Sequence, residues 1–110
     1  MSMSRIIINT QFDAIHCWPD CTHKDVMFLR DPHRHIFHVT MKVPVVHDNR
    51  DVEFIRFKRS VEGHILLNYK GKDLGSMSCE MLCKDLHNVY PETTYVSVME
   101  DGENGAEVEW

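Results

Sequence analysis

Two long runs of alternating character, residues 5–17 and 33–43, limit this chain to folds in which a pair of extended strands shares one buried face. In the first run Ile6, Ile8, Thr10, Phe12, Ala14 and His16 fall on one face, and Ile7, Asn9, Gln11, Asp13, Ile15 and Cys17 on the other. In the second, His33, His35, Phe37, Val39, Met41 and Val43 share a face, and the run ends near 44–49. Between them Pro19, the polar residues 20–25 and Arg30-Asp31-Pro32 break the extended pattern. The expectation is two long strands joined as an antiparallel hairpin by the residues from Cys17 to Pro32.

Downstream the period changes. A short segment at Asp51 to Ile55 gives way to a helix from Phe57, with Phe57, Val61 and Ile65 at helical spacing and Gly63 as a weak point. Lys70 to Gly75 reads as a loop. Ser78 is placed to cap a second helix in which Leu82 and Leu86 make an apolar i, i+4 pair, ending before Pro91. Thr93 to Glu100 is β-branched and alternating, Asp101 to Gly105 is a glycine-containing turn, and Ala106 to Trp110 is a last short strand. The order is ββααββ. It predicts one α+β domain over 1–110, with a four-stranded antiparallel sheet and two helices on one face. At 110 residues and 43% hydrophobic content there is core for one domain and no more.

Charge narrows the function classes. Twelve basic against seventeen acidic residues give a formal charge of -5, and no Lys/Arg run makes a phosphate-binding stripe, so duplex nucleic-acid binding is disfavoured. Residues 1–10 contain only three consecutive apolar residues, Ile6 to Ile8, too few for a signal core or a membrane span; the expectation is a cytoplasmic protein. In that compartment the four cysteines, Cys17, Cys21, Cys79 and Cys83, are expected as free thiols. Cys79 and Cys83 share a helical face and are expected in the core. No phosphate loop or Ser-His-Asp arrangement stands out.

Eight histidines are the unusual count. The period-2 rule puts His33 and His35 on one face, with Cβ atoms roughly 6.5–7 Å apart, a gap one metal ion can bridge. A hairpin makes His16 the natural third ligand. Three imidazoles with an open fourth position describe a catalytic rather than a structural zinc site. Spacing alone equally permits His33 and His35 to be half-buried residues at a strand end. His38 and His47 are expected at the surface.

These residues also resemble a known family. Phe12-x-Ala14-x-His16 and Pro32-His33-Arg34-His35-x-Phe37-x-Val39 are similar to the F-x-A-x-H and H-G-H-x-(Y/F)-x-(V/L) elements of the 6-pyruvoyl-tetrahydropterin synthase and 6-carboxytetrahydropterin synthase family, the tunnelling fold or T-fold. Val52-Glu53-Phe54-Ile55-x-Phe57-Lys58 resembles its M-D-F-x-x-L-K segment, Ser78-Cys79-Glu80 its T-(S/T)-E helix start, and Tyr95 to Glu100 its V-x-V-x-E-T strand. Five such elements in order span nearly the whole chain. The resemblance implies zinc on His16, His33 and His35, and Glu100 accepting two hydrogen bonds from the guanidine-like edge of a pterin, with Glu80 in support. A carboxylate suits parallel N–H donors of that kind. Apart from the resemblance, Glu80 reads as an acid favoured in a first helical turn and Glu100 as a solvated strand end. The resemblance further implies a homo-oligomer, trimer or hexamer, whose sheets join into a β-barrel with Glu100 facing a neighbour's zinc.

The chain departs from the family where the chemistry is done. The family's catalytic Cys, four residues before H-x-H, is Leu29 here. Its Asp-His pair is half present: His64-x-x-Leu67-Asn68 fits H-x-x-L-N, but Gly63 replaces the Asp. Candidate proton-transfer groups are therefore His64 and the nearby thiols Cys21 and Cys17. The leading expectation is a zinc-dependent lyase acting on a reduced pterin or a 7-deazaguanine precursor, as in queuosine biosynthesis. The alternatives are a diverged protein that binds metal and a purine- or pterin-like ligand without that reaction, or a metal-stabilised binding protein.

Overall fold

The structure is a computed structural model and describes residues 2–110. Strand β1 runs Ser4–His16 and β2 His33–Val45; helices α1, Phe54–Asn68, and α2, Cys79–Val89, follow; β3, Tyr95–Glu100, and β4, Asn104–Glu109, close the chain. The four strands form one open antiparallel sheet in the order β1-β2-β3-β4. The chain is thus α+β in a ββααββ arrangement. No helix among the described residues is long and apolar enough to cross a membrane.

Both helices lie on one face of the sheet, α1 against β1 and α2 against β3 and β4. The core is the inward set of each alternating strand (Ile8, Phe12 and Ala14; Phe37, Val39, Met41 and Val43; Val96 and Val98) packed on Phe57, Val61 and Ile65 of α1 and Leu82, Cys83 and Leu86 of α2. Ser78 caps α2 by accepting from the Met81 backbone N–H, as its position predicts.

The first helix starts earlier than periodicity indicates. Glu53 accepts from the backbone N–H groups of Ile55 and Arg56, so the helix begins at Phe54 and absorbs part of the segment expected before it. Gly63 does not interrupt it. Glycine costs about 1 kcal/mol in a helix interior, whereas burying each of Phe57, Val61 and Ile65 contributes roughly 1.5–3 kcal/mol. The hairpin connection also contains a 3-10 segment, Lys24–Arg30, that no pattern announces, because none of its residues is fully buried. It is tied down by Arg30 Nε donating to the Cys21 carbonyl, 2.8 Å, and by the Trp18 N–H donating to the Leu29 carbonyl, 2.6 Å.

Two details position the site. Residues 71–75 run along the outer edge of β1 at its His16 end, where Ile15 N–H donates to the Lys72 carbonyl and Cys17 N–H to the Gly75 carbonyl, each at 2.9 Å. The last strand begins at Asn104, two residues before the expected Ala106, and Gly105 lies so close to β3 that a Cβ there would be 2.1 Å from the Val98 carbonyl oxygen.

Candidate metal centre

The ladder between β1 and β2 ends on the pair His16↔His33, with Ala14↔His35 two residues along. Period-2 alternation turns all three imidazoles to the helix-covered face. One ligand nitrogen from each ring lies within 4.8 Å of the others, and the ring centroids are 4.6, 5.0 and 5.4 Å apart. His16 is buried; His33 and His35 are half-buried.

Every ring is oriented through Nδ1. His16 Nδ1–H donates to the Met77 carbonyl, 2.8 Å; His33 Nδ1–H to the Asp31 carbonyl, 2.8 Å; His35 Nδ1–H to the Asp101 carboxylate, 2.7 Å. Carbonyls and a carboxylate only accept, so each ring carries its proton on Nδ1 and, when neutral, presents a lone pair at Nε2. Such outer partners are what metal-ligating histidines require. The Nε2 atoms of His16 and His35 are buried and have no hydrogen-bond partner, although burying a polar atom unsatisfied is costly. A divalent cation among the three Nε2 atoms would satisfy them, so the donor set fits a metal.

Glu100 completes the cluster. Its Oε2 is 3.0 Å from His35 Nε2 and its Oε1 3.3 Å from His16 Nε2, within ion-pair distance but without hydrogen-bond geometry. The side chain therefore reaches the histidines of its own chain. The cause is the β2–β3 register: Glu100 pairs with Phe37, one position along the same face from His35. The Cys79 thiol lies 3.8 Å from Oε1 and donates to it. Burial, and then the adjacent Glu100 charge, push that thiol up to about 12, so it remains a donor at neutral pH. Asp101 is shifted the other way: the Ile36 N–H it accepts, 3.0 Å, and the His35 ring hold its carboxyl below the ordinary value.

A cavity of about 450 Å³ opens beside the histidines. His16, His33 and Glu100 are among its lining residues; Trp18, Leu29, Met77 and Met81 supply apolar surface, and Cys17, Ser78 and Glu80 polar atoms. The size and the apolar lining with a few convergent polar groups suit a small molecule.

The other candidates lie elsewhere. Cys21 is fully buried beneath the 3-10 segment, its thiol directed at the His23 and Val26 carbonyls, and it does not line the cavity. Cys17, its neighbour in the same connection, does. His64 sits on α1, edge-on to Tyr69 and Tyr90 at 5.4 and 6.1 Å, and accepts from Asn68; it too is outside the cavity lining, and it is half-buried rather than solvent-exposed. Cys79 and Cys83 are core residues and unpaired thiols, as the helical spacing indicates.

Sequence reasoning did not find Asp101, the Met77 and Asp31 carbonyls, or Trp18. Backbone acceptors leave no trace in residue type. Asp101, at φ 55 beside Gly102, reads as an ordinary turn residue. No protein-family model matches the chain, and no curated protein matches it.

Proposed function

We propose that this protein is a zinc-dependent, lyase-type enzyme of the tunnelling-fold class, acting on a reduced pterin or a related 7-deazaguanine precursor in the manner of the 6-pyruvoyl- and 6-carboxytetrahydropterin synthases. The observation that carries the reading is the convergence of His16, His33 and His35, each oriented through Nδ1, beside a partly apolar cavity that His16 and His33 line. Three imidazoles favour a late transition metal, zinc first. When bound, Zn²⁺ supplies Lewis-acid polarisation of substrate hydroxyl and carbonyl oxygens, which makes an adjacent C–H proton removable.

The chain's own residues supply the remainder. Trp18, Met77 and Met81 offer apolar surface to a flat heterocycle and exclude water from it. The carboxylates of Glu80 and Glu100 at the cavity suit the N–H donors of a pterin or guanine edge. Of the two thiols that line the cavity, Cys17 and Cys79, Cys17 is the more exposed and takes the role of base. The sheet ends on β1 and β4; the outer edge of β4 and the part of the β1 edge before Asp13, which residues 71–75 do not cover, suit pairing between copies in a ring, a trimer or a hexamer of stacked rings.

A second reading is favoured by Leu29, which lines the cavity where the family has its catalytic Cys. In it the protein holds metal and a purine- or pterin-like ligand without the family reaction. One experiment tests both. Metal content per chain is measured for the wild type and for His33→Ala with His35→Ala, and the metal-loaded protein is incubated with a reduced pterin bearing a hydroxylated side chain in deuterated water. About one zinc per chain, lost in the double variant, with deuterium incorporated into the side chain, supports the enzyme. Zinc and pterin binding without exchange supports the second reading. A folded wild type that takes up no metal overturns both.

A further inference from the structure

We propose that Glu100 is the fourth ligand of the metal held by His16, His33 and His35, so that without a small-molecule ligand the protein carries a closed three-histidine, one-carboxylate centre. The inference rests on the metal reading above and adds to it that the open position is occupied from within the chain.

The argument begins from the two contacts of the carboxylate, 3.0 Å to His35 Nε2 and 3.3 Å to His16 Nε2. With Nδ1–H committed to Asp101 in one ring and to the Met77 carbonyl in the other, the neutral rings present lone pairs to Glu100. A lone pair facing a carboxylate is repulsive unless a cation lies between them. The alternative is two imidazolium rings donating to Glu100. Charge-assisted N–H···O⁻ bonds are usually about 2.7–2.9 Å and well aligned, whereas neither contact has hydrogen-bond geometry and one is 3.3 Å. Two donors each about 2.0–2.1 Å from one zinc ion in tetrahedral coordination stand about 3.3 Å apart, and about 2.9 Å apart if they subtend a right angle. The observed separations fall in that interval.

The placement is built into the fold. Glu100 closes β3 opposite Phe37 and shares the face of the histidines, and the Cys79 thiol from the start of α2 donates to Oε1. A single carboxylate with each oxygen directed at a different ligand nitrogen is the arrangement of a shared cation, whereas a solvated strand end would turn outward. The consequence for function is a gate: a molecule in the cavity reaches the metal only by displacing Glu100.

The test uses the 110-residue chain loaded with Co²⁺ in place of zinc, beside Glu100→Gln and Glu100→Ala, with azide as the probe for an open position. The expected result is a visible spectrum that changes in both variants, zinc affinity by chelator competition lower by about tenfold or more, and azide binding that is weak in the wild type and tighter in Glu100→Ala. Gln keeps the shape and the Cys79 contact, so a loss of affinity shared by both variants reports coordination and not misfolding. Unchanged spectrum, zinc affinity and azide binding in metal-loaded variants overturn the proposal while leaving the three-histidine site intact. A wild type that binds no Co²⁺ or zinc overturns that site and this proposal together.

Discussion

His16 and His33 are direct partners in the last pair of the β1–β2 ladder, their ring centroids 4.6 Å apart, so one end of a hairpin presents two metal ligands before any loop contributes. Because the ligands sit on paired strands, metal binding is coupled to the stability of the sheet. Zinc at about a hundredfold excess over its dissociation constant should stabilise the fold by about 2.7 kcal/mol. For a domain of this size that is a rise in Tm on the order of 10 °C. Differential scanning fluorimetry should show the rise on adding zinc to the chelator-treated wild type and show it abolished in His16→Ala and in His33→Ala. An equal rise in the variants would place the metal elsewhere.

Asp101 accepts from His35 Nδ1 and, through its other oxygen, from the Ile36 N–H, so one side chain fixes both a metal-ligand ring and the strand that carries it. Removing the acceptor frees the ring to rotate and to shift its proton to Nε2, the atom the metal needs. Asp101→Ala is expected to weaken zinc binding by about 10–100-fold. Asp101→Asn, whose amide oxygen still accepts, should lose less. Chelator competition orders the three proteins, and equal affinities would show that the Asp101 contact does not prepare the ligand.

Much of this architecture was legible from residue spacing, and the limits of that legibility are physical. Alternation from Arg5 to Cys17 and from His33 to Val43 placed the ends of both long strands within two residues of where they lie, since one face is buried and a one-residue slip would invert it. The same rule put the three histidines on one face before their distances were known. Helix α1 was harder: Gly63 counts against it locally, and its N-terminal cap is a Glu, a less usual capping residue than Ser or Asp. The 3-10 segment has no buried face and thus no period. The turn of Glu100 toward its own histidines depends on the register between β2 and β3, which are separated by both helices in sequence; no local pattern encodes it.

The four thiols should separate by reactivity. Cys79 is pushed up to about 12 and Cys83 to about 11, in both cases chiefly by burial, and Cys21 is fully buried. A raised thiol pKa leaves almost no thiolate at pH 8, and thiolate is the reacting form. Cys17 is partly exposed and lines the cavity. Iodoacetamide at pH 8 should therefore label Cys17 first in the folded protein, as read by peptide mass spectrometry, and all four cysteines in denaturant. Zinc or a cavity ligand should slow the labelling of Cys17. Rapid modification of Cys79 under native conditions would contradict the burial described above.

One substitution at two glycines should act with opposite sign. Gly63 lies within α1, and a Cβ built there meets nothing within 4 Å. Its backbone is helical, so Gly63→Ala removes a propensity cost of about 1 kcal/mol and restricts the unfolded chain. Denaturation midpoints should rise, with zinc affinity unchanged. At Gly105 the added Cβ would lie 2.1 Å from the Val98 carbonyl oxygen and 2.5 Å from the Met99 Cα, both backbone atoms that no rotamer change can clear. Accommodating it must push β4 away from β3, the strand that ends on Glu100, and must reshape a cavity that Gly105 itself lines. Gly105→Ala should lower the urea midpoint and weaken zinc binding together, because β3, which loses its close partner, carries the carboxylate that faces His16 and His35. A stable Gly105→Ala protein with wild-type zinc affinity would mean that the close approach of β4 to β3 plays no part in setting the site.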